Sequence, residues 1–105
     1  LISEALRIFE FNVSREISLA ETAGELGISQ EKLIAAFRKR FGTSPKQYLI
    51  RMRMEKAEIM LKNSSVSIKD IASRTGYGAI CRFSREFKKK HGISPSEFRK
   101  TAGAD

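Results

Sequence analysis

Two arginines, Arg82 and Arg85, lie three residues apart in a segment with a helical pattern, so a helix would present both on one face. An arginine in the major groove of DNA can donate two hydrogen bonds to guanine O6 and N7, which contributes about 1–3 kcal/mol of discrimination between bases. Alternatively, both are solvated surface charges, the commoner fate of an isolated arginine. The sequence around them favours contact with DNA.

The segment that contains these arginines repeats an earlier one. The same order of small, glycine and apolar residues, followed by Gly-x-Ser-Pro, occurs twice: Ala23, Gly27, Leu33, Phe37 and Gly42–Tyr48, then Ala72, Gly76, Phe83, Phe87 and Gly92–Phe98. The only two prolines, Pro45 and Pro95, take matching places. One small helical unit is therefore used twice, which predicts two equivalent contacts with a partner that itself repeats, such as double-stranded DNA.

Each copy has the spacing of a helix-turn-helix. A small residue lets two helices cross closely, a glycine adopts the left-handed conformation in the turn, and a large apolar residue anchors the second helix. In the second copy the anchor Phe83 comes one residue later than Leu33 does in the first, which predicts a longer turn through residues 77–79. A single match is weak evidence in a small helical protein, but two in tandem are much stronger.

The faces opposite these anchors carry the candidate base contacts, whereas the anchors themselves are interpreted as core. The predicted base-contacting residues are Gln30, Glu31, Ile34, Ala35 and Arg38 in the first recognition helix, and Ile80, Cys81, Arg82 and Arg85 in the second. Ile34 and Ala35 offer only apolar contact with a thymine methyl, and Glu31 only accepts from cytosine or repels phosphate. We therefore expect the two half-sites to be read with unequal stringency.

Basic runs end both recognition helices, at Arg38–Arg40 and Lys88–Lys90, where they neutralise phosphates, complement the helix dipoles, or do both. The helix starts at residues 44–46 and 94–96 offer N–H groups and hydroxyls that suit a phosphate, although capping alone also explains them. The predicted phosphate contacts are Lys39, Ser44, Lys46, Lys88, Lys89, Ser94 and Ser96.

Apolar residues at helical spacing predict the elements that position these faces. A first packing helix ends near Asn12, and Ser18, Ser29 and Ser67 are predicted N-caps of later helices. A helix without a breaker runs from about Pro45 to Lys62, and its length, on the order of 27 Å, is comparable with the roughly 34 Å of one DNA turn. We predict a first helix-turn-helix subdomain over 1–44, a stiff linker helix over 45–62 and a second subdomain over 63–105.

Composition narrows the class of protein. The 105 residues contain 20 Lys and Arg against 12 Asp and Glu, a net charge of +8 that points to nucleic acid, an anionic membrane surface or an acidic partner. Apolar runs are too short to span a bilayer, and the single cysteine rules out an internal disulfide and fits a cytoplasmic protein. The chain starts at Leu1 in a helical pattern, so we expect a C-terminal piece of a longer protein.

Enzymatic activity is not expected, and neither is a metal or cofactor. His91 and Cys81 are the only histidine and cysteine, and the sequence places no carboxylate cluster beside them. His91 precedes Gly92 at a predicted helix end, where it is interpreted as a partner of the helix dipole. A redox switch at Cys81 is a less favoured alternative because the chain offers no resolving cysteine.

The combined pattern resembles the arabinose-regulator (AraC/XylS) family over nearly the whole chain. The residues that carry the resemblance are Gly27–Ser29, Leu33, Phe37, Gly42, Ser44, Pro45, Tyr48, Leu49, Arg53, Ala57, Leu61, Ile68, Ile71, Ala72, Gly76, Tyr77, Phe83–Arg85, Phe87, Lys88, Gly92, Ser94, Pro95, Phe98 and Arg99. The resemblance implies an all-α fold of seven helices, with two homeodomain-like helix-turn-helix subdomains joined by a long central helix. Recognition helices would lie in successive major grooves.

The resemblance also implies bacterial transcription regulation, more often activation, with RNA polymerase as a partner and an effector-binding or dimerisation domain before Leu1. It places the base-reading positions at Glu31, Ile34, Ala35, Arg38, Ile80, Cys81, Arg82 and Arg85. Many members are polar or aromatic where this chain has Ile34, Ala35 or Ile80, and have Ser or Thr at Cys81. We therefore expect the protein in the bacterial cytoplasm, on the nucleoid.

The alternative function is a nonspecific basic module that binds RNA, the DNA backbone or an acidic partner. Such a module does not need two copies of the same turn at a fixed distance.

Overall fold

The computed structural model describes residues 1–14 and 18–103. These residues form seven α-helices and no strand, which confirms the predicted all-α fold: α1 (Ile2–Phe11), α2 (Leu19–Leu26), α3 (Gln30–Phe41), α4 (Pro45–Asn63), α5 (Ile68–Arg74), α6 (Ile80–His91) and α7 (Pro95–Gly103). The molecule is elongated, with extents of 45 × 23 × 21 Å. No helix in the described part of the chain is both long and apolar enough to cross a membrane.

Serine caps set most of the helix starts, as the sequence predicts. The hydroxyl oxygens of Ser18, Ser29 and Ser67 each accept a hydrogen bond from the backbone N–H three residues later. Ser44 begins α4 with a capping box, in which its hydroxyl accepts from the Gln47 N–H and the Gln47 side chain accepts from the Ser44 N–H. These bonds satisfy N–H groups that have no partner within the helix.

The apolar side chains form two separate cores at the two ends of α4. The first contains Ala5, Phe9, Ala23, Leu33, Phe37 and Leu49. The second contains Met54, Ala57, Leu61, Ile71, Ala72, Tyr77, Phe83 and Phe87. Because α4 contributes Leu49 to one core and Met54, Ala57 and Leu61 to the other, it connects two small helical units through a continuous backbone.

The last helix closes the second core in the way that the start of α4 closes the first. Phe98 of α7 packs against the second core, and Tyr48 of α4 packs against the first. Arg99 then holds α7 against the C-terminal end of α4, because its guanidinium donates to the carbonyl oxygens of Leu61, Ser64 and Val66 at 3.3, 3.3 and 2.6 Å. Carbonyls at a helix end lack intrahelical donors, so these bonds stabilise that end.

Candidate nucleic-acid interface

The turns that orient the two candidate recognition helices, α3 and α6, have the same hydrogen bonds. In the first turn the Ile28 N–H donates to the Ala23 carbonyl at 3.1 Å, and in the second the Tyr77 N–H donates to the Ala72 carbonyl at 3.0 Å. Gly27 and Gly76 occupy the left-handed region at φ 69° and 83°. This conformation is strained for residues with a Cβ, which explains the glycine in both copies.

The second turn is longer, as the spacing predicts. Three residues separate α2 from α3, Gly27 to Ser29, whereas five separate α5 from α6, Thr75 to Ala79. Gly78 adds a second left-handed residue at φ 67°, and the Ala79 N–H folds back onto the Tyr77 carbonyl at 2.6 Å. The insertion shifts the register of the repeat by one residue, so α6 matches α3 residue for residue fifty positions later.

Each candidate recognition helix has one buried face and one outward face. Leu33 and Phe37 in α3, and Phe83 and Phe87 in α6, are fully buried. Eight of the nine predicted base-contacting residues are exposed: Gln30, Glu31, Ala35, Arg38, Ile80, Cys81, Arg82 and Arg85. Ile34 is half-buried, so its side chain is shared between the domain interior and the outward face. Base contact by these residues stays a prediction.

The two outward faces differ in charge and in capping. In α3 the arginines and lysines, apart from Lys32, occupy the last turn, and Glu31 lies in the first turn. In α6 basic residues extend from Arg82 to the last turn, with no acidic residue in the first turn. Ser29 caps α3, but Ala79 precedes α6 and gives it no side-chain cap. The start of α6 is therefore more positive and has more unsatisfied N–H groups, which favours an anionic partner there.

The predicted phosphate contacts fall into two groups. Lys39, Lys46, Lys88, Lys89 and Ser96 are exposed. Ser44 and Ser94 are half-buried and occupied with capping: the Ser94 hydroxyl accepts from the Glu97 N–H at 3.2 Å and donates to the Glu97 carboxylate at 3.1 Å. For these two serines, capping is what the hydrogen bonds show, and contact with phosphate stays a prediction.

Each candidate recognition helix is fastened at its C-terminal end by a cluster of three rings in tilted, stacked or edge-on contact. In the first copy these are Phe37, Phe41 and Tyr48, with centroids 4.6 to 5.7 Å apart. In the second they are Phe87, His91 and Phe98, with centroids 4.0 to 5.4 Å apart. Such aromatic contacts fix relative orientation better than aliphatic contacts do. His91, which the sequence places at a helix end, is thus also a core partner.

A cleft of about 580 Å³ lies between the two halves of the molecule, against the N-terminal half of α4. Tyr77 is buried on its wall, and burial raises the pKa of its hydroxyl, an effect that the positive charge of Arg53 opposes. The Arg53 guanidinium lies 5.7 Å from the Tyr77 ring centroid, within the range of a cation–π contact. Sequence reasoning did not find this pair, because its members are remote in the chain.

The cysteine and the histidine, residue types that often serve in catalysis, do not come together. Cys81 is exposed near the start of α6, whereas His91 packs at the end of the same helix and contacts Glu58. Among residues 1–14 and 18–103, no three His, Cys, Asp or Glu side chains are grouped so that they would hold a metal ion. The geometry is that of two similar helical units with outward-facing helices, which defines a tandem helix-turn-helix domain.

Comparison with known proteins agrees with this class. The sequence profile of a helix-turn-helix domain family matches residues 22–101. The lactose operon transcription activator of Staphylococcus xylosus is 35% identical over 98 residues, which are 93% of this chain and 35% of that protein. The transcriptional activator RhaS of Klebsiella pneumoniae is 32% identical over 93% of this chain and 35% of its own length. The chain thus spans about a third of the length of such regulators.

Solved structures give the same result. The C-terminal domain of AraT, a response regulator from Geobacillus stearothermophilus, superposes with a TM-score of 0.91 at 32% identity, over 95% of this chain and 84% of that one. The DNA-binding domain of AdpA, solved with a target DNA, has a TM-score of 0.91 at 23% identity, over 98% and 93% of the two chains, and supports the fold alone. The chain belongs to the AraC/XylS family of helix-turn-helix transcription regulators.

Proposed function

We propose that this chain binds double-stranded DNA sequence-specifically, with α3 and α6 in successive major grooves, and that it regulates bacterial transcription as part of an activator. The observation that carries the proposal is the pair of equivalent turns, each of which buries one face of a helix and exposes the other. At about 1.5 Å per residue, the 19 residues of α4 extend close to 30 Å, a rigid spacer of nearly one DNA turn.

In this proposal the outward residues of α3 and α6 contact bases, and the exposed lysines contact phosphates. Twenty basic against twelve acidic residues supply the attraction to the backbone, which depends on salt. The predicted subdomains, 1–44 and 63–105 on the linker 45–62, would act as two reading units. The chain itself would have no enzymatic activity and would act in the bacterial cytoplasm, on the nucleoid.

Two partners beyond DNA belong to the proposal. The regulators named above are about three times as long as this chain, which supports an additional domain for effector binding or dimerisation in the whole protein. Both of these regulators are named as transcription activators, and an activator acts on RNA polymerase, so we propose the polymerase as a further partner.

The test is selection of bound sequences from a pool of random duplexes, followed by titration of the best duplex and a scrambled one at physiological salt. We expect a two-part motif with centres about ten base pairs apart, because recognition helices in successive major grooves are one turn apart. Equal affinity for both duplexes would overturn the proposal in favour of a nonspecific basic module. A motif with a single part would show that only one helix reads bases.

A further inference from the structure

The clearest chemical difference between the two equivalent ring clusters is His91, which takes the place of Phe41. The first cluster is made of phenyl and phenol rings alone. In the second, the imidazole stacks on Phe87 at a centroid distance of 4.0 Å and an interplanar angle of 14°, with the Phe98 ring edge-on at 5.4 Å. His91 therefore keeps the aromatic packing of the first cluster and adds two polar nitrogen atoms to it.

Both nitrogens of His91 face oxygen atoms. Nδ1 lies 3.2 Å from the carbonyl oxygen of Phe87, one helical turn earlier, and Nε2 contacts Oε1 of Glu58, in the linker helix α4. The side chains of His91 and Glu58 are 13% and 29% exposed, so water screens their contact less than it screens a surface ion pair. The contact joins residues 33 positions apart in the chain.

This contact adds a directed polar bond to the ring packing that attaches α6. Phe83 and Phe87 bury α6 through ring contacts of preferred geometry, which resist separation of the helices and already favour one orientation. The backbone N–H groups at the start of α6 have no side-chain cap. A charged hydrogen bond from α4 to the last residue of α6 restrains the helix about its axis and along it.

We propose that Glu58 and His91 are positioning residues that set the orientation of α6 on α4, and thereby the reading of the second half of the DNA site. This inference rests on the proposed function, because it assigns to the pair a role in base reading by α6. Neither side chain contacts bases in this account. Their effect reaches DNA through the placement of Arg82 and Arg85, which lie on the outward face of the same helix.

The test uses two substitutions that keep size and packing. Glu58→Gln keeps the shape but removes the charge, and His91→Phe restores the aromatic ring found at Phe41. Glu55→Gln, on the exposed face of α4, is the matched control because it makes the same charge change one turn away. Each variant and the double variant are titrated with the selected duplex and with duplexes in which only one half is scrambled. Thermal melts establish that each variant is folded.

We expect Glu58→Gln and His91→Phe each to weaken binding of the selected duplex about three- to tenfold, which corresponds to the net contribution of an ordinary intramolecular hydrogen bond. The loss should disappear on the duplex with the α6 half scrambled and persist on the duplex with the α3 half scrambled. The double variant should lose little more than either single variant, since both remove one contact. Glu55→Gln should match the unchanged protein within twofold.

The outcomes separate this inference from the proposed function. If the unchanged protein does not distinguish the selected duplex from a scrambled one, the proposed function fails and the positioning role fails with it. If the protein discriminates but Glu58→Gln behaves as Glu55→Gln does, or weakens both halves equally, only the positioning role fails. If either Glu58→Gln or His91→Phe is unfolded at the assay temperature while the other variant binds the selected duplex normally, the two residues only stabilise the fold and the inference is overturned.

Discussion

The first half of the molecule, from α1 to the start of α4, and the second half, from the end of α4 to α7, have the same backbone plan and different chemistry. Their turns share equivalent hydrogen bonds, and their recognition helices both have twelve residues. Yet the first half relies on a serine cap and a purely aromatic cluster, whereas the second relies on an uncapped helix, a longer turn and polar contacts from His91 and Arg99.

The comparison shows that the two copies share the residues that orient the helix and differ in the residues on its outward face. The positions that coincide are the crossing alanine, the turn glycine, the buried anchors and the Ser-Pro start. The positions that differ lie on the outward faces, where Ala35 in the first helix has Arg85 as its counterpart. A change there alters contact with a partner at little cost in stability, because exposed substitutions cost about 0.5 kcal/mol or less.

The largest expected effects on stability come from removing one large buried side chain from one core at a time. Phe37→Ala and Phe87→Ala each remove a fully buried ring and should cost about 3–5 kcal/mol of unfolding free energy. Because the two cores share no residue, amide hydrogen exchange should accelerate mainly in the half that contains the substitution. The measurements are urea denaturation and exchange followed residue by residue.

Phe11→Ala is the control for that pair. The side chain of Phe11 is 88% exposed, so its removal should change stability by about 0.5 kcal/mol or less. Equal acceleration of exchange in both halves after either core substitution would show that the halves unfold as one unit. The prediction of two independently unfolding halves would then be wrong.

Base reading is the next largest effect. Arg85→Ala makes the second helix resemble the first at this position and should remove about 1–3 kcal/mol of discrimination at one base pair. Lys89→Ala, on the same helix, should weaken all duplexes alike and lower the slope of log affinity against log salt by about one. Both are measured by titration of duplexes with single base changes over a range of salt. Uniform weakening by Arg85→Ala would remove Arg85 from the base contacts.

The smallest expected effects come from exchanging the N-cap residues of α3 and α6. Ser29→Ala should lose about 1 kcal/mol, because the Lys32 N–H loses its partner. Ala79→Ser should gain a similar or smaller amount, since Ala79 already has the extended conformation of an N-cap, at φ −131° and ψ 135°. Chemical denaturation measures both, with Ser65→Ala, in the exposed loop between α4 and α5, as control. A destabilising Ala79→Ser would mean that the longer turn does not admit a cap.

Local spacing accounts for much of what the sequence predicted. Ser18, Ser29 and Ser67 are caps, Gly27 and Gly76 are left-handed, and Leu33, Phe37, Phe83 and Phe87 are buried, all as expected. Each of these follows from relations between residues at most a few positions apart, such as a cap to the third residue or an apolar stripe with the helical period. The exposure of the predicted base-reading face follows from the same periodicity.

The amino-acid sequence therefore predicts the helices, their order, the repeated unit and the residues on its outward faces. Contacts between side chains on different helices depend on tertiary packing: Glu58 with His91, Arg99 with carbonyls at and just after the end of α4, and Arg53 with the Tyr77 ring. Helix periodicity places each side chain on a face, but it does not set the angle and the register at which two helices cross. Those quantities depend on the packing of the whole core, and they determine which distant residues come into contact.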